Sequence, residues 1–460
     1  MAMTTGKSTL SRRTFLLGSL APLLIPAQGV AQWSEVSSIL ARIKPPRFPD
    51  RDFNVIQFGA VANTGTDSTD AIAKAIAACN QAGGGRVVIP AGQFLTGPVR
   101  LKSRVNLHLS EGSVLKFITD ARRYLPVVFT RWEGTELMNY SPFIYAFEEQ
   151  DLAITGSGTL DGQADETHWW AWRTSQAAAR QRLVEFGAKG TPVSERVFGE
   201  GSSLRPNFIQ PYRCRNILIE GITIRNSPMW EIHPVLSSNI TVRGVTIVSH
   251  GPNNDGCNPE SCRDVLIERC SFDTGDDCIA LKSGRNNDGR RVGVPVENVI
   301  VRDCTMKDGH GGVTIGSEIS GGARNIFAER CRMDSPRLDR ALRIKTNSVR
   351  GGVIEGVFMR DVTVGQVAEA VVTIDFLYEE GDAGMYPPVV RNIDVRNMTS
   401  RKSTYALLLR GYRHAPIIDM RLTNCAFENV AKPDVLDNVK DVRLSNVRVN
   451  GKTRNESITR

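Results

Sequence analysis

Four short clusters of polar residues in the second half of the chain could carry chemistry together. They are Asn253–Gly256, Gly275–Asp277, Gly309–Gly311 and Arg343–Lys345, which supply three carboxylates, one imidazole and two cations. Carboxylates that lie close together repel one another, which raises the pKa of at least one of them and can keep it protonated. A protonated carboxylic acid beside ionised carboxylates suits glycoside hydrolysis. The two cations could bind a negatively charged sugar.

Each cluster taken alone has an ordinary explanation. Asp-Gly and Gly-Asp are common turn sequences, and a pair of adjacent aspartates is usually solvated. A single histidine between glycines is more often structural or merely exposed, although here the glycines could leave room for a substrate. The position of the clusters is what makes them unusual, because each falls 12 to 20 residues after the start of a repeated phrase.

The repeated phrase predicts the elements that position these clusters. It spans nine residues, usually starts with Asn or Asp, and has apolar residues at offsets one, three, six and usually eight. Its copies begin at Asn216, Asn239, Asp264, Asn298, Asn325, Gly356, Asn392, Asp419 and Asp441. Alternating apolar residues indicate short strands with one buried face, and the break in alternation indicates a bend. A period of 22 to 36 residues predicts an all-β, single-stranded, right-handed parallel β-helix.

This fold would bring the four clusters together. Equivalent positions in adjacent coils of a β-helix are about 4.8 Å apart, so separate stretches of sequence stack into one patch. We expect the Asn that opens each repeat to adopt the turn conformation and to stack on its neighbours.

The chain contains nine cysteines, and the repeat explains four of them. Cys270, Cys304, Cys331 and Cys425 occupy offset six, where other copies have Ile, Val or Met. We therefore expect buried free thiols at these four positions. The sequence leaves the disulfide state of Cys257, Cys262 and Cys278 open.

A solenoid needs caps, and the sequence predicts one at its N-terminal end. Residues 67–85 indicate a capping helix that begins at Asp67 or Ser68 and ends at Gly83. Its apolar stripe consists of Ala71, Ile72, Ala75, Ile76 and Cys79. Residues 163–205 interrupt the repeat, with a tryptophan-rich start and a helical pattern over 174–186. We expect this insert to close one end of a groove, which would admit only a chain terminus.

The N-terminus is typical of an export signal. Arg12 and Arg13 precede an apolar run, Phe15–Ile25, and a small-residue cleavage site at Ala31. This pattern predicts a twin-arginine signal and a periplasmic or secreted protein. The apolar run is too short to span a membrane and contains a proline. The predicted organisation is a signal at 1–31, a linker at 32–51, a β-helix domain at 52–450 with its insert, and a tail at 451–460.

Composition excludes some classes of protein. Of the 460 residues, 41% are hydrophobic and 23% are charged, which is typical of a globular chain rather than a largely disordered one. The formal net charge of +8 would suit an acidic substrate, although a solvated surface explains it equally well.

The four clusters resemble the motifs of glycoside hydrolase family 28, the polygalacturonases, and the similarity extends over about residues 52–450. The resemblance implies inverting hydrolysis of α-1,4 links between galacturonates in polygalacturonate or pectin. It implies that Asp276 is the general acid, that Asp255 and Asp277 activate the attacking water, and that His310 tunes the proton of Asp276. Stacking in adjacent coils would by itself favour retention, because inverting pairs are commonly ~6.5–9.5 Å apart, but the side chains at 255 and 276–277 can diverge.

The resemblance also implies the residues that bind the substrate. They are Asn253, Arg343, Lys345 and Tyr378. Two positions depart from the family pattern: Asn254 stands where the motif has Thr, and Asn258 stands where family members often have Asp. The family needs no metal or cofactor. We expect a monomer whose partners are pectin oligosaccharides, not nucleic acid or a membrane.

Other functions remain open at this point. A pectate lyase on the same fold would work by β-elimination, usually with calcium held by carboxylates. A rhamnogalacturonan hydrolase would share the family, but relatives of that kind typically lack the His and the Arg/Lys motif. A non-catalytic glycan-binding β-helix would have no need of three stacked acids.

Overall fold

The structure, a computed structural model, describes residues 32–460. The chain winds into a right-handed parallel β-helix with three faces, as predicted, and strands are numbered here along the chain. The predicted signal at 1–31 lies outside the described residues. Within 32–460, no helix is both long and apolar enough to cross a membrane.

The first face is a continuous parallel ladder that contains the start of every repeat. Its strands are β1 (Asp52–Asn54), β2 (Gly85–Ile89), β5 (Val105–Leu109), β10 (Gln150–Gly156), β13 (Arg215–Glu220), β15 (Ser238–Arg243), β17 (Arg263–Glu268), β20 (Val296–Arg302), β23 (Ala323–Glu329), β26 (Val353–Arg360), β29 (Val389–Arg396), β32 (Ile417–Thr423) and β35 (Val439–Val449). The second face follows after the bend in each repeat. Its strands are β3 (Gly92–Thr96), β6 (Ser113–Phe117), β11 (Thr159–Asp161), β14 (Thr223–Arg225), β16 (Thr246–Ser249), β18 (Ser271–Thr274), β21 (Thr305–Met306), β24 (Arg332–Met333), β27 (Thr363–Val364), β30 (Thr399–Ser400) and β33 (Ala426–Phe427).

The third face carries the residues of interest. Its strands are β4 (Val99–Arg100), β9 (Ile144–Phe147), β12 (Ile209–Tyr212), β19 (Ile279–Leu281), β22 (Val313–Ile315), β25 (Arg340–Lys345), β28 (Ala370–Asp375), β31 (Tyr405–Arg410) and β34 (Val435–Asp437). Single bridges through Ile232 and Cys257 connect β12 to β19, so the coils are stacked without a break. An antiparallel hairpin of β7 (Val128–Trp132) and β8 (Thr135–Asn139) lies beside this face.

The turn that opens each repeat has the predicted form. The first residues of the copies have left-handed backbone, with φ of 57° at Asn216 and 54° at Asn239. Asn tolerates this conformation better than most residues. The amide of Asn239 donates to Asn216 Oδ1 at 2.8 Å, and Asn325 donates to Asn298 at 3.1 Å. The stacked amides therefore fix the register of adjacent coils.

The interior is apolar, and the cysteines belong to it. Every one of the nine cysteines is buried as a free thiol, which confirms the packing role of the four at offset six and answers the open question about Cys257, Cys262 and Cys278. A disulfide-free core suits a chain in which stacked coils already bury a continuous apolar interior.

Five helices decorate the solenoid in the described residues: α1 (Glu35–Arg42), α2 (Thr69–Gln81), α3 (Trp172–Ser175), α4 (Ala177–Lys189) and α5 (Asn286–Val292). Single 3₁₀ turns occupy Val55–Phe58, Ala121–Tyr124 and Val193–Glu195. Helix α2 is the predicted cap. Asp67 accepts a hydrogen bond from the backbone N–H of Thr69, and the predicted apolar stripe is buried against the first coils.

Two segments differ from the sequence-based expectation. Residues 32–51 are not a plain linker, because α1 packs Val36 and Ile39 on the outside of the first face. The first face needs this cover, since Leu266, Ile300, Phe327 and Phe358 point outward from four coils. Residues 451–460 are not a plain tail either. They contain β36 (Lys452–Ile458), which pairs antiparallel with β35 and covers the last coil.

Candidate active site

The coil register brings the four predicted clusters together. The N–H of Gly256 donates to the carbonyl of Asp277 at 3.0 Å, and the N–H of His310 donates to the carbonyl of Asp276 at 3.2 Å. Strand β22 pairs with β25 so that Thr314 lies opposite Arg343. The clusters therefore occupy successive coils of the third face, at the positions that the repeat predicts.

The three carboxylates are crowded. One oxygen from each of Asp255, Asp276 and Asp277 lies within 4.8 Å of the others. This distance joins the nearest oxygens of the carboxylates, so the expected divergence of Asp255 and Asp276 stays a prediction. Asp276 and Asp277 are consecutive residues of one coil and Asp255 lies on the preceding coil, so the close spacing of the coils brings the three together.

Asp277 is the most tightly held of the three carboxylates. Its Oδ2 lies 2.7 Å from Lys345 Nζ, and its Oδ1 lies 3.1 Å from Arg343 Nη1. The hydroxyl of Thr314 also donates to Oδ1, at 2.9 Å. Burial alone would favour the neutral acid, but Lys345 and Arg343 outweigh it and lower the pKa of Asp277. Asp277 is therefore a buried carboxylate whose ionised form is stabilised by two cations.

Gly311 is required for this arrangement. A Cβ at this position would lie 2.2 Å from Thr314 Oγ1 and 2.9 Å from Asp277 Oδ1. The glycine beside His310 therefore makes room for the protein's own hydrogen bonds to Asp277.

Asp255 has the opposite electrostatic environment. Burial and the neighbouring Asp276 raise its pKa well above the usual range. Asn258 donates to its Oδ2 at 2.9 Å, and Lys282 Nζ lies 3.8 Å from the same oxygen. Its Oδ1 has no hydrogen-bond partner in the described part of the chain. Asn258, the departure from the family pattern, thus contacts the carboxylate directly.

Asp276 differs from what the sequence led us to expect. Crowding was expected to keep it protonated, but the raised pKa belongs to Asp255. Burial would favour the neutral form of Asp276, yet the hydrogen bond with His310 at 3.1 Å outweighs burial and lowers its pKa. The same bond raises the pKa of His310. The two side chains therefore share one proton, with the imidazolium as its main site.

Arg343 and Lys345 face the same space, but neither is free. Both are paired with Asp277, and their cationic groups lie 5.8 and 5.3 Å from the ring centre of Tyr378. Asn253 lies at the edge of the site, where its Oδ1 accepts from the buried Arg205 at 2.7 Å. All eight predicted site residues are therefore within one neighbourhood.

A cavity of about 310 Å³ opens above the carboxylates. It is lined by Asn253, Asp255, Asp276, His310, Arg343, Lys345 and Tyr378 from the predicted set, and also by Glu133, Arg173, Gln176, Arg180, Trp230, Lys282, Ser317, Glu318 and Glu379. The cavity is polar and rich in ion pairs, which suits a charged, hydroxylated ligand better than an apolar one.

Three of the additional residues come from the insert. Arg173, Gln176 and Arg180 line the cavity, and their spacing of three and four residues puts them on one helical face. This spacing is visible in the sequence and indicates that the three side chains share one face of the insert. The tryptophans Trp169 and Trp170 pack against the solenoid instead of lining the cavity. Trp170 Nε1 donates to the carbonyl of Ser227 at 2.8 Å, and Trp169 is buried in the main core.

Lys282 and Glu318 are also among the lining residues that sequence reasoning missed. Lys282 Nζ lies 2.9 Å from Glu318 Oε2 and 4.5 Å from the ring centre of Trp230. Lys282 and Glu318 alternate with core residues on strands or bends, so each alone resembled a surface charge. Only the fold shows that both point into the cavity.

Comparison with known proteins agrees with this geometry. The family described as glycosyl hydrolases family 28 matches residues 194–450, more than half of the chain. The chain belongs to this family. Its membership makes it an enzyme that hydrolyses glycosidic bonds, and the four motif clusters all lie within the matched residues.

Individual relatives extend the similarity to most of the chain. A probable polygalacturonase from Vitis vinifera is 30% identical over 394 residues, which cover 82% of this chain and 74% of the relative. An endo-polygalacturonase from Pectobacterium carotovorum subsp. carotovorum is 27% identical over 74% of this chain and 79% of its own length. The crystal structure of a hyperthermoactive exopolygalacturonase from Thermotoga maritima is 44% identical, with a TM-score of 0.91, over 93% of this chain and 98% of the other.

Proposed function

We propose that the protein hydrolyses α-1,4-galacturonosyl links of polygalacturonate or pectin, that it acts from a chain end, and that it inverts the anomeric centre. The observation that carries the proposal is the cluster of Asp255, Asp276 and Asp277 beside two cations in one cavity. The 44% identity to an exopolygalacturonase supports the substrate and the mode of action.

The leaving oxygen must gain a proton as the glycosidic bond breaks, and Asp276 is placed to give it. Its side chain is 17% exposed, whereas Asp277 is fully buried and Asp255 is 3% exposed. The proton is stored in the hydrogen bond between His310 and Asp276. As negative charge develops on the leaving oxygen, the proton moves from Nδ1 of His310 to Asp276 and on to that oxygen.

A water molecule must lose a proton while it attacks the anomeric carbon. Asp255 in its ionised form is the better acceptor, because its Oδ1 has no hydrogen-bond donor in the described residues. Asp277, with both oxygens held by protein donors, orients the water rather than taking its proton. After the attack, Asp255 holds the proton from the water, and the His310–Asp276 pair must be reprotonated from solvent.

Inversion rests on the family motifs rather than on the spacing of the carboxylates. Retaining enzymes keep their two carboxyl groups ≈ 5–5.5 Å apart, and the oxygens here are at least that close. Asp277 is nonetheless a poor nucleophile, because both of its oxygens accept hydrogen bonds from cations. Proton NMR of the first product formed decides the point, since inversion of an α-link gives the β-anomer first.

The surroundings of the carboxylates favour hydrolysis over calcium-dependent elimination. Lys345 and Arg343 already occupy the oxygens of Asp277, and Lys282 stands 3.8 Å from Asp255. A divalent cation would have to enter next to three positive charges. A lyase would also release an unsaturated product that absorbs in the ultraviolet, whereas a hydrolase releases none.

The insert supports action from a chain end, because it contributes residues to the cavity wall. A closed wall admits a terminus but not the middle of a polymer. The test is a time course of products from polygalacturonate. We expect mono- or digalacturonate from the start and slow loss of viscosity; an early ladder of long oligomers would contradict the closed end.

We also propose that the twin-arginine pair exports the protein to the periplasm or the medium and that it works as a monomer. Changing Arg12 and Arg13 to Lys should leave the precursor in the cytoplasm, as cell fractionation would show. Sedimentation of the mature chain should give the mass of one copy, with any larger species contradicting the monomer.

A further inference from the structure

The cations of the cavity are not equivalent. Five arginine and lysine side chains line it: Arg173, Arg180, Lys282, Arg343 and Lys345. Four have carboxylate partners within the protein: Arg343 and Lys345 pair with Asp277, Lys282 pairs with Glu318, and Arg180 pairs with Glu133 and Glu379. A uronate that entered the cavity would have to compete with these partners for each of the four.

Arg173 is the exception. Among the ion pairs of residues 32–460, it has no carboxylate within 4.0 Å, and it is exposed. An arginine that lines a cavity without an acid partner can take the carboxylate of a ligand without breaking an existing ion pair.

Gln176 gives an independent indication of a ligand at the same place. It is 3% exposed and lines the same cavity, yet its Oε1 has no hydrogen-bond donor in the described residues. A buried acceptor without a donor costs about 1–3 kcal/mol. A sugar hydroxyl in the cavity would remove that cost.

The backbone holds the two side chains on one face. Gln176 N donates to Trp172 O at 2.9 Å, so the turn from α3 into α4 remains helical, and residues three apart lie next to each other. Arg180 is one turn further on and fixes this face to the solenoid through Glu133, at 2.7 Å. The backbone therefore holds both residues on the cavity side of the insert.

We propose that Arg173 and Gln176 form the subsite for the sugar at the closed end of the cavity. Arg173 binds the carboxylate of that sugar, and Gln176 Oε1 accepts a hydrogen bond from one of its hydroxyls. The subsite selects chains that end in a hexuronate over chains that end in a neutral sugar. This inference rests on the proposed function, because it assigns the terminal sugar of that substrate.

The test compares R173Q, Q176L and the control R182Q on trigalacturonate and on its fully methyl-esterified form. Arg182 is on the same insert but does not line the cavity, since its guanidinium lies over the ring of Phe198 at 4.5 Å. For R173Q we expect kcat/KM on the free acid to fall about 10- to 100-fold, mostly through KM, as for loss of a charge-assisted contact. On the ester, R173Q should change kcat/KM less than about threefold.

Q176L should behave differently, because both substrates carry the hydroxyls. We expect losses of about tenfold on the free acid and the ester alike, the size of one hydrogen bond. R182Q should match the wild type. Equal losses on both substrates for R173Q, or no loss at all, would overturn the carboxylate contact, and an unchanged Q176L would overturn the hydroxyl contact.

A binding measurement separates this inference from the proposed function. Trigalacturonate is titrated calorimetrically into the wild type and R173Q at a temperature where turnover is negligible. If the wild type binds trigalacturonate and R173Q does not, the subsite stands even where no hydrolysis is found. If both proteins bind equally, the subsite is wrong even where hydrolysis is confirmed.

Discussion

The cavity has two walls that the chain builds by different means. One wall belongs to the repeat, where Asp276, Asp277 and Lys345 each take their place from the register of a coil. The other belongs to the insert, whose tryptophans anchor it to the solenoid while Arg173 and Gln176 face inward. The repeat wall is rigid and carries the reacting groups. The insert wall lies outside the repeat and contacts the terminal sugar of the substrate. Chemistry and selectivity can therefore change separately.

The largest effect should come from the repeat wall, at Asp276. The amide of Asp276→Asn keeps the size of the side chain but cannot transfer a proton. General-acid contributions are typically ~10²–10⁴-fold, so kcat should fall by at least ~10²-fold. KM should change little, because the lost interaction is made mainly in the transition state.

Circular dichroism of Asp276→Asn is the control for folding. The alkaline limb of the pH–rate profile should also flatten, because a proton that remains on His310 no longer has Asp276 to carry it to the leaving oxygen. A folded variant that keeps more than about a tenth of the wild-type kcat would show that Asp276 is not the acid.

Lys345 should give the next largest effect and should affect both kinetic constants. Its ammonium lies 2.7 Å from Asp277 Oδ2, so Lys345→Met removes a charge-assisted bond worth about 1.5–3 kcal/mol and weakens the ionisation of Asp277. We expect kcat/KM to fall about 10- to 100-fold, with kcat lower and KM higher. Lys345→Arg should recover part of kcat. A change in KM alone would mean that Lys345 only binds substrate.

His310 should show its role in the pH dependence rather than in the rate at acid pH. The pKa of His310 is raised by Asp276, so the shared proton is present below that pKa and is lost as the pH rises through it. In His310→Gln the proton must sit on Asp276 alone, and the alkaline limb should move to lower pH. Activity at neutral pH should fall about tenfold for each unit of that displacement. An alkaline limb at the wild-type pH would show that His310 does not share the proton of the general acid Asp276.

The repeat wall could be predicted from the sequence, and the reason is its periodicity. The phrase that opens at Asn239 and Asp264 fixes which residues share a face, so the stacking of the four clusters follows from counting. The outward apolar residues at offset two, Leu266 and Phe327 among them, carried a further signal. They predict a cover such as α1 on the outside of the first face.

The protonation of the site could not be predicted in the same way. Counting places three carboxylates together but does not show which one has cations as neighbours. Lys345 lowers the pKa of Asp277, and His310 lowers the pKa of Asp276. Asp255 is the carboxylate of the three whose pKa is raised. The path of the insert over the solenoid could not be predicted for a different reason, because it depends on contacts such as that of Trp170 with Ser227, which no repeat encodes.

The smallest effect should come from the anchor of the insert wall. Arg180 joins α4 to Glu133 at 2.7 Å and to Glu379 at 3.5 Å, so it ties the insert to the hairpin and to the loop that contains Tyr378. Its side chain is 36% exposed, and water screens the pair in part, so the loss of stability should be modest.

In Arg180→Ala the wall should loosen without harm to the carboxylates. We expect kcat/KM on trigalacturonate to fall only about threefold, roughly the worth of a partly exposed ion pair. The products of polygalacturonate should then include tri- and tetragalacturonate early in the time course, because a loosened wall admits a chain further. Lys189→Ala, at the far end of α4, is the matched control and should leave the products unchanged. If Arg180→Ala still releases only the shortest products, the insert wall closes the cavity without this anchor, and the closed end must depend on the tryptophan contacts instead.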